Sequence, residues 1–321
     1  MKVTILGAGA YGLALALTFY RNNNDVTVWT KIESERDNLI KTRQNNKALP
    51  NVIIPEDITI TADISCCNKS DIVIIAIPIN YLRSTCIELK NYINNNTIIC
   101  IATKGIENKT NALCHEILSD ITKIENIVIL SGPTFAIDLA NDEFCGLTLA
   151  TNNFNNYIAI KNLLDNNKIK LEYTNDIIGT ELCGSLKNIM AIISGLINGR
   201  MLSETTKALF YTQATKELKK LLKELNGDIN TTYLLCGIGD LLLTCTSSKS
   251  RNYTLGNMLA TSNKNEIMTY IENNTVEGYT TLISIYQIIK SKNITSPLIE
   301  TLYEIIFENT NVEKILTALI K

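Results

Sequence analysis

A chain of 321 residues is long enough for two domains, and with 45% hydrophobic and 19% charged residues it buries a sizeable core rather than staying disordered. Thirty Lys and Arg against 32 Asp and Glu leave a formal charge of −2, which gives no support for a nucleic-acid partner or a polybasic membrane surface. A single histidine excludes a multi-histidine zinc centre, and nine cysteines without a C-x-x-C pair read as small buried thiols in a reducing cytosol, so no metal is expected.

Along the chain, Lys2 and the apolar stretch 3–20 superficially resemble a signal peptide with a small-x-small site at Ala14-Leu15-Ala16. Three glycines interrupt that stretch, and cleavage would remove an intact strand–turn–helix pattern. No other window reaches the roughly 18 apolar residues of a membrane span, so a soluble, cytoplasmic protein is expected. Residues 2–6 form a β-rich run, 7–12 a turn, 13–20 an apolar helix and 25–29 a second strand. Residues 71–77 are a continuous apolar run of the kind a parallel strand buried on both faces requires, and Pro78 ends it. Segments 97–102 and 126–130 repeat the theme, and 146–151 and 169–174 are candidates to extend the sheet or its edge.

Strands separated by helices predict an α/β fold, a Rossmann-type doubly wound parallel sheet over 1–178. Beyond it, amphipathic stretches at 182–196, 205–225, 265–272 and 297–307 predict an all-helical domain over 179–321, with glycine-bearing loops at Gly227, Gly237–Gly239 and Gly278.

Gly7-Ala8-Gly9-Ala10-Tyr11-Gly12 fits G-x-G-x-x-G between a strand and a helix. Gly7 permits the tight turn, Gly9 lets backbone approach a pyrophosphate, and Gly12 allows close helix–strand packing. The helix N-terminus offers free N–H groups and a positive dipole end to the anion. The second strand ends Trp29-Thr30-Lys31 without the carboxylate that would accept the 2′-hydroxyl of NAD. Lys31 is a candidate for the 2′-phosphate of NADP, which tilts the expectation towards NADP; a solvated lysine is the plain alternative.

A dehydrogenase needs a proton donor and acceptor, and burial can tune lysine for that work. Lys187 lies in the apolar, small-residue stretch Gly184-Ser185-Leu186-Lys187-Asn188, although a snorkelling surface lysine fits equally. Lys104 precedes Gly105 at the carboxyl end of the sheet, where ligands dock. Asp240, in Gly237-Ile238-Gly239-Asp240, either turns inward to a lysine or caps a helix. Ser250, Arg251 and Asn252 precede a helical segment and make either a phosphate cradle or a polar loop with an N-cap. Tyr157 and Lys161 mimic the pair of short-chain dehydrogenases, but the glycine turn has the wrong spacing for that family. His115, in a predicted helix over 111–118, is read as structural.

Taken in order, Gly7–Gly12, Ala102-Thr103-Lys104-Gly105, Ser131-Gly132-Pro133-Thr134-Phe135-Ala136, Leu186-Lys187-Asn188, Gly237-Ile238-Gly239-Asp240, Thr244-Cys245-Thr246, Ser250-Arg251-Asn252 and Val276-Glu277-Gly278 resemble the bacterial NAD(P)-dependent glycerol-3-phosphate dehydrogenase family across essentially the whole chain. The resemblance implies reversible reduction of dihydroxyacetone phosphate to sn-glycerol 3-phosphate for phospholipid synthesis, and a homodimer. It implies Lys187 as the acid–base residue, with Lys104, Gly132, Thr134, Asp240, Ser250, Arg251 and Asn252 on the substrate. Gly7, Gly9, Ala10, Tyr11, Gly12, Lys31, Lys104, Ala136, Arg251, Thr275 and Glu277 fall at the cofactor. Departures are Lys31 in place of the usual Arg or His, Gln213 where an arginine is common, and an altered 198–205 segment. The alternatives are a 3-hydroxyacid or 6-phosphogluconate-type dehydrogenase, and a catalytically silent NADP sensor that binds a protein partner.

Overall fold

Ile72–Ile75, four consecutive residues with no exposed surface, form the strand about which the first unit is built. In the computed structural model, which describes residues 1–164 and 166–321, the chain divides into two units, 1–103 with 114–177, and 104–113 with 178–321.

Among the described residues the first unit holds eight strands: β1 (Lys2–Leu6), β2 (Asp25–Trp29), β3 (Thr59–Thr61), β4 (Ile72–Ile75), β5 (Ile98–Ile101), β6 (Ile127–Ser131), β7 (Cys145–Ala150) and β8 (Ile169–Thr174). They lie in one sheet in the order β3-β2-β1-β4-β5-β6-β7-β8, parallel throughout except that β7 runs against β6. The sheet is therefore Rossmann-like and doubly wound, and 146–151 and 169–174 do extend it. Strand order reverses between β1 and β4, the position where open α/β sheets bind ligands at their carboxyl ends. Residues such as Leu13, Leu15 and Phe19 of the helix Ala10–Arg21 are buried with the sheet residues Ile5, Val28 and Ile74 in one core.

The second unit is helical, with its own core of residues including Leu186, Ile193, Phe210, Leu255, Ile285 and Leu302. Its longest helix, Ile177–Gly199, is buried at every position from 179 to 197. Among the described residues it is the one helix long and apolar enough to cross a membrane, and it is spent as a core helix. Each large apolar side chain so buried contributes about 1.5–3 kcal/mol. The helix Arg251–Thr261 crosses it in direct backbone contact. A Cβ on Gly195 would sit 1.9 Å from the carbonyl oxygen of Tyr253, and one on Gly256 1.8 Å from that of Ile192.

Three local expectations change. Gly278 belongs to no loop but is the second residue of the helix Glu277–Ser291. A Cβ there would stand 2.6 Å from the carbonyl oxygen of Asn188, so packing selects a glycine that propensity reads as a break. Gly237–Gly239, read as a glycine-bearing loop, lies in a π-helical turn, Leu235–Gly239, leading directly into the helix Asp240–Thr246. The helix expected over 111–118 starts at Cys114, because Asn111 takes a left-handed φ of 58°.

Candidate active site

The glycine turn has the shape its sequence requires. Gly7 has φ +123°, and a Cβ there would meet the carbonyl oxygen of Ala76 at 2.4 Å. A Cβ on Gly12 would meet the carbonyl oxygen of Gly7 at 2.0 Å, so turn and helix are in contact. Gly9 is the opposite case: nothing lies within 4 Å of its Cβ position. Gly9 is the N-cap of the helix Ala10–Arg21, which has no side-chain cap and no acidic residue in its first turn. Open space at Gly9 and an uncapped positive helix end fit a bound pyrophosphate. Asn45 braces the turn through its side-chain amide, which donates to the carbonyl of Ala8 at 3.1 Å.

Other residues of the first unit lie near the same turn. Tyr11 Oη and Thr134 Oγ1 are hydrogen-bonded at 3.1 Å across 123 residues of chain. Gly132 (φ +155°) and Ala136, which begins the helix Ala136–Ala140, flank Thr134 on the same loop. Lys31 does not stand alone: its ammonium lies 2.5 Å from Glu88 Oε1, in the helix Ile79–Leu89.

The second unit gathers Lys104, Lys187 and Asp240. Asp240 begins its helix with a carboxylate that has no exposed surface, and it does not act as a cap. Its Oδ2 lies 2.8 Å from Lys104 Nζ, and its Oδ1 accepts a hydrogen bond from Lys187 Nζ. Lys187 is 7% exposed, which does not fit the alternative of a snorkelling surface lysine. Lys187 Nζ also donates to Thr244 Oγ1 at 2.9 Å, and Thr244 in turn donates to the backbone oxygen of Asp240 at 2.7 Å. Burial lowers the Lys187 pKa, the Asp240 carboxylate opposes that and the Lys104 ammonium adds to it; the outcome is about 8. Two ammonium groups meet one carboxylate, and the buried Lys187–Asp240 pair lies in a setting where charge acts strongly. Ser185, one helical turn after Glu181 in the same helix as Lys187, accepts from the N–H of Gly105 at 3.0 Å and holds the Lys104–Gly105 segment.

A second network follows one residue after Lys187. Asn188 donates to Glu277 Oε2 at 3.1 Å and accepts from the Asn252 amide at 3.0 Å, while Asn252 Oδ1 takes the N–H of Gly278 at 2.9 Å. Ser250 caps the helix Arg251–Thr261 by accepting from the N–H of Tyr253 at 3.3 Å. Of the expected cradle, then, Ser250 and Asn252 are turned into the protein and Arg251 is exposed; Thr275 is exposed as well.

Sequence reasoning picked no role for Thr244, Ser185 or Asn188. Only Thr244 carried a readable sign, its position one turn after Asp240. Tyr157 and Lys161 share the helix Phe154–Leu164, and Tyr157 is buried among Phe154 and Tyr173. His115 is half-buried in the helix Cys114–Thr122. Among the described residues no group of three or more His, Cys, Asp or Glu side chains is placed to hold a metal ion.

Comparison with known proteins agrees along the whole chain. The family model of the NAD-dependent glycerol-3-phosphate dehydrogenase N-terminus matches residues 2–157, and that of the C-terminus matches 176–317. A glycerol-3-phosphate dehydrogenase [NAD(P)+] of Fusobacterium nucleatum is 31% identical over 97% of this chain and 94% of that protein. Its counterpart in Ehrlichia chaffeensis is 32% identical over 98% of each. The crystal structure of a glycerol-3-phosphate dehydrogenase from Coxiella burnetii superposes with a TM-score of 0.93 at 28% identity, over 100% of this chain and 98% of that one. A ketopantoate reductase from Ralstonia eutropha, at TM-score 0.62 and 15% identity, shares the fold alone. Two family models that match 2–157 and 176–317, and relatives 31–32% identical over nearly the whole chain, place this chain in the NAD-dependent glycerol-3-phosphate dehydrogenase family, an oxidoreductase family.

Proposed function

We propose that this chain reversibly reduces dihydroxyacetone phosphate to sn-glycerol 3-phosphate, with Lys187 as the acid–base residue. The observation that carries this reading is the Lys104–Asp240–Lys187 cluster.

A nicotinamide dinucleotide, when bound, supplies the hydride for reduction and takes it back in oxidation. The residues of the chain do the rest. Gly9 and the start of the helix Ala10–Arg21 would hold the pyrophosphate, with Tyr11 and Ala136 as cofactor contacts of the first unit and Thr275 and Glu277 as those of the second. An ammonium has three N–H bonds; Lys187 uses one on Asp240 and one on Thr244, which leaves a third for the C2 oxygen of the substrate. As negative charge builds on that oxygen, Lys187 stabilises it and hands over the proton, a charge-assisted donor set where charge appears. Asp240 fixes the position of that ammonium and keeps it charged. Lys104, held by Asp240, contacts the anionic substrate. Arg251 and the 250–252 turn take the phosphate, with Gly132 and Thr134 on the rest of the substrate, so binding energy remote from C2 holds the ketone in register.

Several finer readings go with this one. NADPH is preferred modestly, through Lys31. The product feeds glycerophospholipid synthesis, in the cytoplasm, where nine free thiols are stable. The working unit is a homodimer.

Absorbance at the reduced nicotinamide band tests the proposal. Dihydroxyacetone phosphate consumes NADPH or NADH, and a 3-hydroxyacid or 6-phosphogluconate is turned over far more slowly in reverse. Tight NADPH binding with no ketose phosphate reduced would instead favour the silent sensor.

A further inference from the structure

The second strand ends without an acidic residue in sequence, yet the fold brings one there from elsewhere. Glu88, 57 residues downstream, approaches the Lys31 ammonium to 2.5 Å. The remaining cation of that stretch is committed too: Arg36 Nη2 lies 2.8 Å from Asp37 Oδ1. Thr30, at the strand end, donates its hydroxyl to Glu35 Oε2. Each positive charge between 30 and 37 therefore already has a carboxylate, and a third carboxylate, Glu35, is bonded beside them.

We infer that Glu88 is a specificity-determining residue: by pairing with Lys31 it holds NADPH preference down and keeps NADH a working cofactor. The inference rests on the proposed dinucleotide site. A 2′-phosphate is a near-dianion that needs a positive partner, whereas a 2′-hydroxyl needs only a hydrogen bond. To meet the phosphate, Lys31 must give up Glu88, which also repels the incoming anion. NADH incurs neither cost. Both side chains are substantially solvated, Lys31 at 59% and Glu88 at 41% exposure, so water screens the pair and the effect is severalfold rather than hundredfold.

Equilibrium titration of NADPH and NADH by nicotinamide fluorescence, without substrate, tests this in the wild type, Glu88→Gln, Lys31→Met and the double variant. Glu88→Gln is expected to tighten NADPH about two- to fivefold and leave NADH unchanged. In the Lys31→Met background the same change is expected to do nothing, because the cation it frees is gone. Raising salt should shrink the gain. An equal shift for both dinucleotides, or none for NADPH, overturns the inference while leaving the dehydrogenase reading intact. Failure of the wild type to bind either dinucleotide overturns both.

Discussion

Lys187 and Asp240 meet as an ion pair almost sealed from water, the carboxylate side chain 0% and the lysine side chain 9% exposed. Opposed effects, burial against a buried carboxylate, bring the lysine to about 8, where one group can act as acid and as base near neutral pH. Reduction needs the ammonium, so kcat for ketone reduction should fall as pH rises through about 8. Oxidation of the alcohol needs the free amine and should rise through the same value. Parallel pH profiles of the two directions check this; curves with the same sign would remove Lys187 from the role.

Lys187→Met should lower kcat by about 10²–10⁴ and leave the dinucleotide dissociation constant within twofold, since the glycine turn belongs to the other unit. Stopped-flow hydride transfer and fluorescence titration read the two separately.

Asp240→Asn tests the electrostatics. It removes the carboxylate that meets the buried Lys187 ammonium, which should cost about 3–5 kcal/mol of stability. It should also move the Lys187 break below 8, because the effect that raises its pKa is lost while burial and Lys104 remain. Urea unfolding and the pH profile of residual activity give both numbers.

Tyr11 Oη and Thr134 Oγ1 join the glycine turn to the loop we propose contacts substrate. Tyr11→Phe keeps the ring and deletes the bond, at a cost of about 1 kcal/mol. We expect a severalfold rise in KM for dihydroxyacetone phosphate with dinucleotide affinity nearly unchanged. Thr134→Val should mask the effect of Tyr11→Phe in a double-variant cycle.

Two glycine substitutions should separate. Gly7→Ala strains a φ of +123° and drives a methyl into the carbonyl oxygen of Ala76, so it should destabilise the fold measurably in thermal melts. Gly9→Ala has room in the free protein and should melt like the wild type. Its added methyl would stand at the proposed pyrophosphate site, so it should weaken NADPH and NADH alike.

Much of the fold was legible in short stretches of chain. Ile72–Ile75 reads as a doubly buried parallel strand because it has no polar residue to present to water, and Gly7–Gly12 reads as a cofactor turn from its glycine spacing, Gly7 and Gly12 leaving no room for a Cβ. The long helices show in their own periodicity. These features follow from propensity and hydrophobic period, which act over a few residues.

Tertiary structure decided the pairings. The sequence offered Asp240 as either a cap or a partner for a lysine; packing places it against Lys187, 53 residues away, and Lys104, 136 away. It seats Gly278 inside a helix because Asn188 leaves no room for a side chain. It brings Glu88 to Lys31, a carboxylate the local sequence lacked. A charge's partner and a lysine's pKa depend on whatever the folded chain brings within a few ångströms, and distance along the sequence does not encode that.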